Sequence, residues 1–143
     1  MVLSGCDDLL TEVMIRVLFD TGMRAQEFAN LRLNDLDGRT IYTVGKGCKD
    51  GWVYISDTTR ERLDVWIRAA GVIDYVWIKT TRRQYFEPLT VDGIRKKIQR
   101  QFREAGLEGF QLHELRHSFA TDVRKRGADV DVVRRLLRHS SLQ

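Results

Sequence analysis

The sequence predicts an α+β domain, mostly α-helical, with a small three-stranded antiparallel sheet near its front. Three observations predict it. Apolar residues recur at helical spacing through most of the chain, starting with Leu9, Leu10, Val13, Met14, Val17 and Leu18. β-branched and aromatic residues dominate only at 41–44, 52–55 and 75–78. No repeat and no Pro/Gly/Ser-rich linker divides the 143 residues, which is one domain's worth of chain.

The elements follow in order. The first helix is expected from Asp8 to Phe19, with Gly22 placed to stop it. A short helix is expected from Arg24 to Leu31, turning Phe28 and Leu31 inward. Ile41-Tyr42-Thr43-Val44 and Trp52-Val53-Tyr54-Ile55 flank Gly45-Lys46-Gly47-Cys48-Lys49-Asp50-Gly51, the pattern of a hairpin with a glycine-rich tip. Thr58-Thr-Arg-Glu61 has the spacing of a capping box, opening a helix that ends at Ala70 before Gly71. Tyr75-Val76-Trp77-Ile78 is expected to be the third strand. After Thr90, an N-cap, comes an apolar stripe of Val91, Ile94, Ile98 and Phe102. Arg95, Lys96, Lys97, Arg100 and Arg103 take the remaining faces of that helix. Two more helices are expected, from about Leu112 to Arg126 and after Asp129.

Composition narrows the function classes. With 43% hydrophobic and 31% charged residues, the chain is neither disordered nor membrane-spanning. The N-terminal residues lack the basic start and long apolar stretch of a signal peptide. Cys6 and Cys48 are too few for a disulfide framework or a four-cysteine zinc site, so a cytoplasmic, reduced protein is expected. Charge is unevenly spread. Residues 1–78 hold nine basic and twelve acidic residues, whereas 79–143 hold fifteen basic and eight acidic ones, a net +7. Such a basic half points to a polyanionic partner.

His113-Glu114-Leu-Arg-His117 satisfies the H-E-x-x-H zinc pattern. Against zinc, Arg116 would set a cation beside the metal, and Ser118-Phe-Ala-Thr-Asp122 stands where the metzincin continuation would be. Read instead as a pair, His113 and Arg116 are i,i+3 neighbours on a helix, about 5–6 Å apart at Cβ. An imidazole beside a guanidinium suits a phosphate: the arginine forks onto two oxygens and the histidine moves a proton near neutral pH. Three further stretches bear on this choice. Thr21-Gly-Met-Arg24-Ala-Gln-Glu27 puts an arginine at a helix start, Val44-Gly-Lys46-Gly puts a lysine on a tip, and Leu136-Leu-Arg-His139-Ser adds a histidine.

This ordered set resembles the tyrosine recombinase (phage integrase) family of DNA strand-exchange enzymes, over Leu9 to Ser141. Thr21-Gly-Met-Arg24 with Glu27, Leu31 and Asp35 is similar to its first arginine box, and Gly45-Lys46-Gly47 to the hairpin carrying its lysine. Leu112-His113-Glu-Leu-Arg116-His-Ser-Phe-Ala-Thr121 resembles its His-x-x-Arg box. Leu136-Leu-Arg-His139-Ser resembles its last box, with Arg138 where glycine is usual.

The resemblance implies the DNA breaking–rejoining catalytic fold, with residues 1–143 as the catalytic domain, lacking the N-terminal core-binding domain. It implies that Arg24 and Arg116 clamp the scissile phosphate, Lys46 protonates the leaving 5′-oxygen, His113 assists proton transfer at the nucleophile and His139 hydrogen-bonds the phosphate. Glu27 and Asp35 are implied structural partners, and His117 a supporting residue. No metal or cofactor is implied. The implied partner is double-stranded DNA, with Arg95, Lys96, Arg100 and Arg103 on its phosphates, self-association through a C-terminal tail, and a place at the nucleoid. The family's attacking tyrosine lies two to three helical turns beyond its last histidine, past Gln143. The tyrosines present, Tyr42, Tyr54, Tyr75 and Tyr85, are all upstream. The first three are expected to pack in the core or sheet, and Tyr85 is expected in a loop with no reason to point inward. Rival readings are a zinc hydrolase using His113, Glu114 and His117, a non-catalytic DNA-binding module, and a type IB topoisomerase.

Overall fold

A computed structural model describes residues 2–44, 50–81, 83 and 85–106, without the side chains of residues 2–7, 44 and 50. Helix α1 spans Val2–Thr21, starting before the Asp8 expected from periodicity. Between Leu10 and Leu18 every residue except Arg16 is buried, so α1 runs through the core rather than over it. It packs against the helix α3, Asp57–Ala70, against α4, Val91–Glu104, and against the sheet. Glu12 is part of this buried surface. It accepts from Arg62 Nε and Nη2 at 2.9 and 2.8 Å and from Arg16 Nε at 2.7 Å, tying α1 to α3.

Gly22 ends α1 with φ at 64°, its N–H reaching Leu18 O at 2.8 Å. The five-residue helix α2, Ala25–Ala29, follows, with Phe28 and Leu31 buried as the pattern predicts. Phe28 stacks on Trp77 at 4.7 Å between centroids.

The sheet has three antiparallel strands in the order β1 (Leu36–Asp37), β2 (Thr40–Val44) and β3 (Asp50–Tyr54). The strand number agrees with the sequence reading, but the third strand does not. Residues 75–78 contribute only single bridges, Arg32 to Tyr75 and Ile78 to Pro88. Val76, Trp77 and Ile78 are all buried, and Trp66 Nε1 donates to Val76 O at 2.8 Å. The run is apolar because it lies under α3, not because it extends the sheet. Its place is taken by Leu36–Asp37, turned onto β2 through Gly38, whose φ of 57° suits a tight hairpin.

Helix α3 also starts earlier than the capping box implied. Ser56 is the N-cap, its Oγ accepting from Thr59 N at 3.1 Å, and Gly71 closes the helix at φ 67°. Thr90 caps α4 as expected, accepting from Gly93 N at 3.0 Å. Ile94, Ile98 and Phe102 are buried in one stripe. The two helices expected after residue 107, and the hairpin tip at 45–49, lie outside the described residues.

Candidate phosphate site and nucleic-acid interface

Of the five expected catalytic residues, Arg24 lies within the described residues; Lys46, His113, Arg116 and His139 lie outside them. Local backbone chemistry fixes where Arg24 points. Thr21 Oγ1 donates to Val17 O at 2.8 Å and accepts from Met23 N at 3.3 Å, locking the chain as it leaves α1. Met23 is buried, and Arg24 turns outward in extended conformation (φ −70°, ψ 149°) as the N-cap of α2. Its N–H is taken by Glu27 Oε1 at 3.2 Å, and its C=O by Phe28 N at 2.9 Å. Glu27 is therefore a backbone cap, as expected of a structural partner, and competes with any external anion for that amide. Asp35 does the same for Arg32 N at 3.0 Å. The Arg24 side chain is exposed and has no partner among the described residues, leaving its donors open to an external anion.

The four expected DNA-contacting residues, Arg95, Lys96, Arg100 and Arg103, are all exposed on α4, opposite the buried stripe. Lys96, Lys97, Gln99, Arg100 and Arg103 border a shallow depression of about 310 Å³. One feature of this face went unread in the sequence. Asp92 bridges Lys96 at 3.1 Å and Arg95 at 3.6 Å, so part of the charge is already met. The i,i+3 and i,i+4 spacing from Asp92 was the available signal.

The tyrosines depart from expectation in one place. Tyr42 and Tyr54 lie in the sheet as expected, Tyr54 65% exposed and Tyr42 half-buried edge-on to Trp52. Tyr85 does point inward: it is half-buried and its hydroxyl donates to Ala70 O at 2.7 Å, at the end of α3. Tyr75 receives a hydrogen bond from Arg32 Nη2 at 2.6 Å, with the guanidinium carbon 4.4 Å from its ring centroid. No group of three or more His, Cys, Asp or Glu side chains among the described residues could hold a metal ion. His113, Glu114, His117 and His139, the residues of the zinc pattern and its candidate third ligand, lie outside them.

Helices packed around one buried helix, with a three-stranded sheet carrying the hairpin, define the fold of DNA breaking–rejoining catalytic domains. A crystal structure of XerA recombinase superposes with a TM-score of 0.68 at 25% identity, over 96% of this chain and 54% of that one. XerH site-specific recombinase bound to palindromic difH substrate, in a post-cleavage complex, superposes with a TM-score of 0.67 at 27% identity, over 99% and 44%. The Phage integrase family pattern matches residues 2–143, and the chain belongs to that family. Tyrosine recombinase XerC of Lactobacillus delbrueckii subsp. bulgaricus is 34% identical over 140 residues, 90% of this chain and 46% of that protein. XerC of Listeria welshimeri is 36% identical over 145 residues, 94% and 47%. The chain spans about half the length of the curated relatives it matches. Among the described residues, no helix is long and apolar enough to cross a membrane.

Proposed function

We propose that residues 1–143 form the catalytic domain of a site-specific DNA recombinase, which cuts and rejoins duplex DNA through a 3′-phosphotyrosyl intermediate. The observation that carries this reading is the open guanidinium of Arg24, at the position of the family's first arginine box, on a backbone that Glu27, Thr21 and Phe28 hold rigid. In this scheme a tyrosine oxygen attacks the scissile phosphorus. The new P–O bond forms as the bond to the 5′-oxygen breaks, so the phosphodiester energy is kept for rejoining. Arg24 and Arg116 stabilise the added negative charge on the non-bridging oxygens, and His139 donates to one of them. His113 takes the tyrosine proton, and Lys46 delivers one to the leaving 5′-oxygen. Two arginines and a lysine supply the positive charge that a metal would otherwise bring.

The attacking tyrosine belongs to a segment after His139. The hydroxyls of Tyr75 and Tyr85 already serve Arg32 and the end of α3. Arg95, Lys96, Arg100 and Arg103 contact phosphates, which positions the duplex without reading its sequence. Copies associate on DNA through the C-terminal segment, and the protein resides with the nucleoid.

Sulfur substitution tests the assignment of Lys46. In protein carrying the tyrosine segment, Lys46→Ala abolishes cleavage of ordinary DNA but spares a substrate whose 5′-bridging atom is sulfur, which leaves without a proton. Arg24→Ala lowers cleavage of both by roughly a hundredfold or more, the loss typical of removing one charge-stabilising donor. Equal loss on both substrates in Lys46→Ala would overturn its role as the acid.

A further inference from the structure

Thr21 is the last residue of α1 and is buried. Its hydroxyl oxygen both donates to Val17 O and accepts from Met23 N, so it bonds the helix behind it and the chain ahead of it. A hydroxyl can do both with one atom, and neither a methyl nor a carboxylate can. Gly22, between the two, takes a left-handed turn at φ 64°, and Met23 is buried. One residue earlier, Asp20 stands in the last turn of α1, at the negative end of the helix, where a carboxylate is disfavoured. Its Oδ2 accepts from Ser56 N at 2.9 Å, at the N-cap of α3, where the dipole favours an anion. Two adjacent residues thus fix the end of α1, one to the chain leading out of it and one, across 36 residues, to the start of α3. Arg24 follows three residues after Thr21.

We propose that Asp20 and Thr21 are positioning residues for DNA cleavage, acting through Arg24. The inference rests on the recombinase reading, in which Arg24 clamps the scissile phosphate. The Arg24 guanidinium has no partner among the described residues, so the backbone beneath it sets where its donors lie. Charge stabilisation needs those donors within about 0.5 Å of the productive geometry, and a displacement of about 1 Å can cost on the order of a hundredfold in rate. Glu27 and Phe28 hold Arg24 to α2, on its far side. Asp20 and Thr21 hold the near side, fixing the entry to α2 on the packed pair α1 and α3. Neither is itself a phosphate ligand: the Thr21 hydroxyl is engaged within the chain, and Asp20 is an anion.

Single-turnover cleavage of a nicked suicide duplex tests this in protein carrying the tyrosine segment, with duplex affinity read separately by anisotropy. Thr21→Val keeps the side-chain shape and removes both hydrogen bonds. It should lower the saturating cleavage rate roughly ten- to hundredfold and leave duplex affinity unchanged. Asp20→Ala should lower the rate about three- to tenfold, again without a change in affinity. Thr21→Ser and Asp20→Asn keep the hydrogen-bonding oxygen at each place and should restore most of the rate. In an Arg24→Ala background neither Thr21→Val nor Asp20→Ala should slow cleavage further, because a residue acting through Arg24 has nothing left to act on. Amide exchange at Met23 should quicken in Thr21→Val while the urea midpoint shows the protein folded. A parental rate in folded Thr21→Val, or losses that multiply with that of Arg24→Ala, would overturn the positioning role and leave the recombinase reading standing. If Thr21→Val does not fold, Asp20→Ala and its double with Arg24→Ala decide in the same way. Arg24→Ala cleaving as fast as the parent would overturn the reading of Arg24 itself, and the positioning role with it.

Discussion

Glu12 sits on α1 among apolar neighbours, where a carboxylate survives only with partners. Burial pushes its carboxyl up, but hydrogen bonds and charge from Arg62 and Arg16 outweigh that and hold it below the ordinary 4.5. A carboxylate whose folded pKa is depressed adds stability above its unfolded pKa and loses it as pH falls through the folded one. Stability from this cluster is therefore complete above about pH 4.5 and declines below it. Glu12→Gln should cost about 1–3 kcal/mol near neutrality. Its thermal midpoint should also fall less than the parent's between pH 5 and 3, which calorimetry across that range would read. A parallel fall in both proteins would deny Glu12 its part in acid sensitivity. Phe86 is a second local anomaly, at φ 75° and 46% exposed, with its ring edge-on to Tyr85. Phe86→Asn, which tolerates that conformation, should leave stability unchanged or raise it by up to about 1 kcal/mol in a denaturant melt.

Elements carry the next set of expectations. Helix α3 is bounded by two capping devices, the Ser56 hydroxyl and the left-handed Gly71, neither of which needs the core. A Cβ on Gly71 would meet nothing within 4 Å, so Gly71→Ala tests backbone strain alone. It should cost about 1–2 kcal/mol, and Ser56→Ala about 1 kcal/mol, both measurable as shifts in urea midpoint. In α4, Asp92 holds Lys96 and Arg95 toward itself and away from any phosphate. Asp92→Asn should therefore tighten duplex binding at low salt, and the gain should vanish as salt screens both interactions. Unchanged affinity in anisotropy titrations would mean that these cations do not face DNA.

At the scale of the molecule, the basic character is carried by residues 79–143, with α4 the largest contributor, while residues 1–78 are net acidic. Binding to duplex should therefore be electrostatic and salt-steep. If Arg95, Lys96, Arg100 and Arg103 each meet a phosphate, log K should fall against log salt with a slope of about −3 to −4. Salt-insensitive binding would rule out that face. The 143-residue polypeptide should also form no covalent adduct on a nicked suicide duplex, because in-line attack needs an oxygen about 3–3.5 Å from phosphorus. Tyr85 is instead bonded to Ala70. A shifted band on a denaturing gel that Tyr85→Phe abolishes would relocate the nucleophile to that residue.

Local sequence determined a good part of this protein. The caps at Gly22, Gly71 and Thr90, the paired strands β2 and β3, and the apolar stripe of α4 follow from spacing and residue type, which act within a few residues. The ordered boxes around Arg24, Lys46, His113, Arg116 and His139 made the family legible, because their wording is specific even where each is weak alone. Tertiary structure decided the rest. A short apolar run such as Val76-Trp77-Ile78 has the same texture whether it joins a sheet or lies under a helix, and only Trp66 and α3 resolve which. Leu36–Asp37 is too short to announce itself as a strand, yet pairs because Gly38 turns it onto β2. Tyr85 turns inward because a carbonyl at the end of α3, fifteen residues away, needs a donor. Glu12 could be read as an ordinary surface acid until α3 brings Arg62 across fifty residues of chain to meet it. Burial and long-range partners belong to the packed molecule, and no window of sequence contains them.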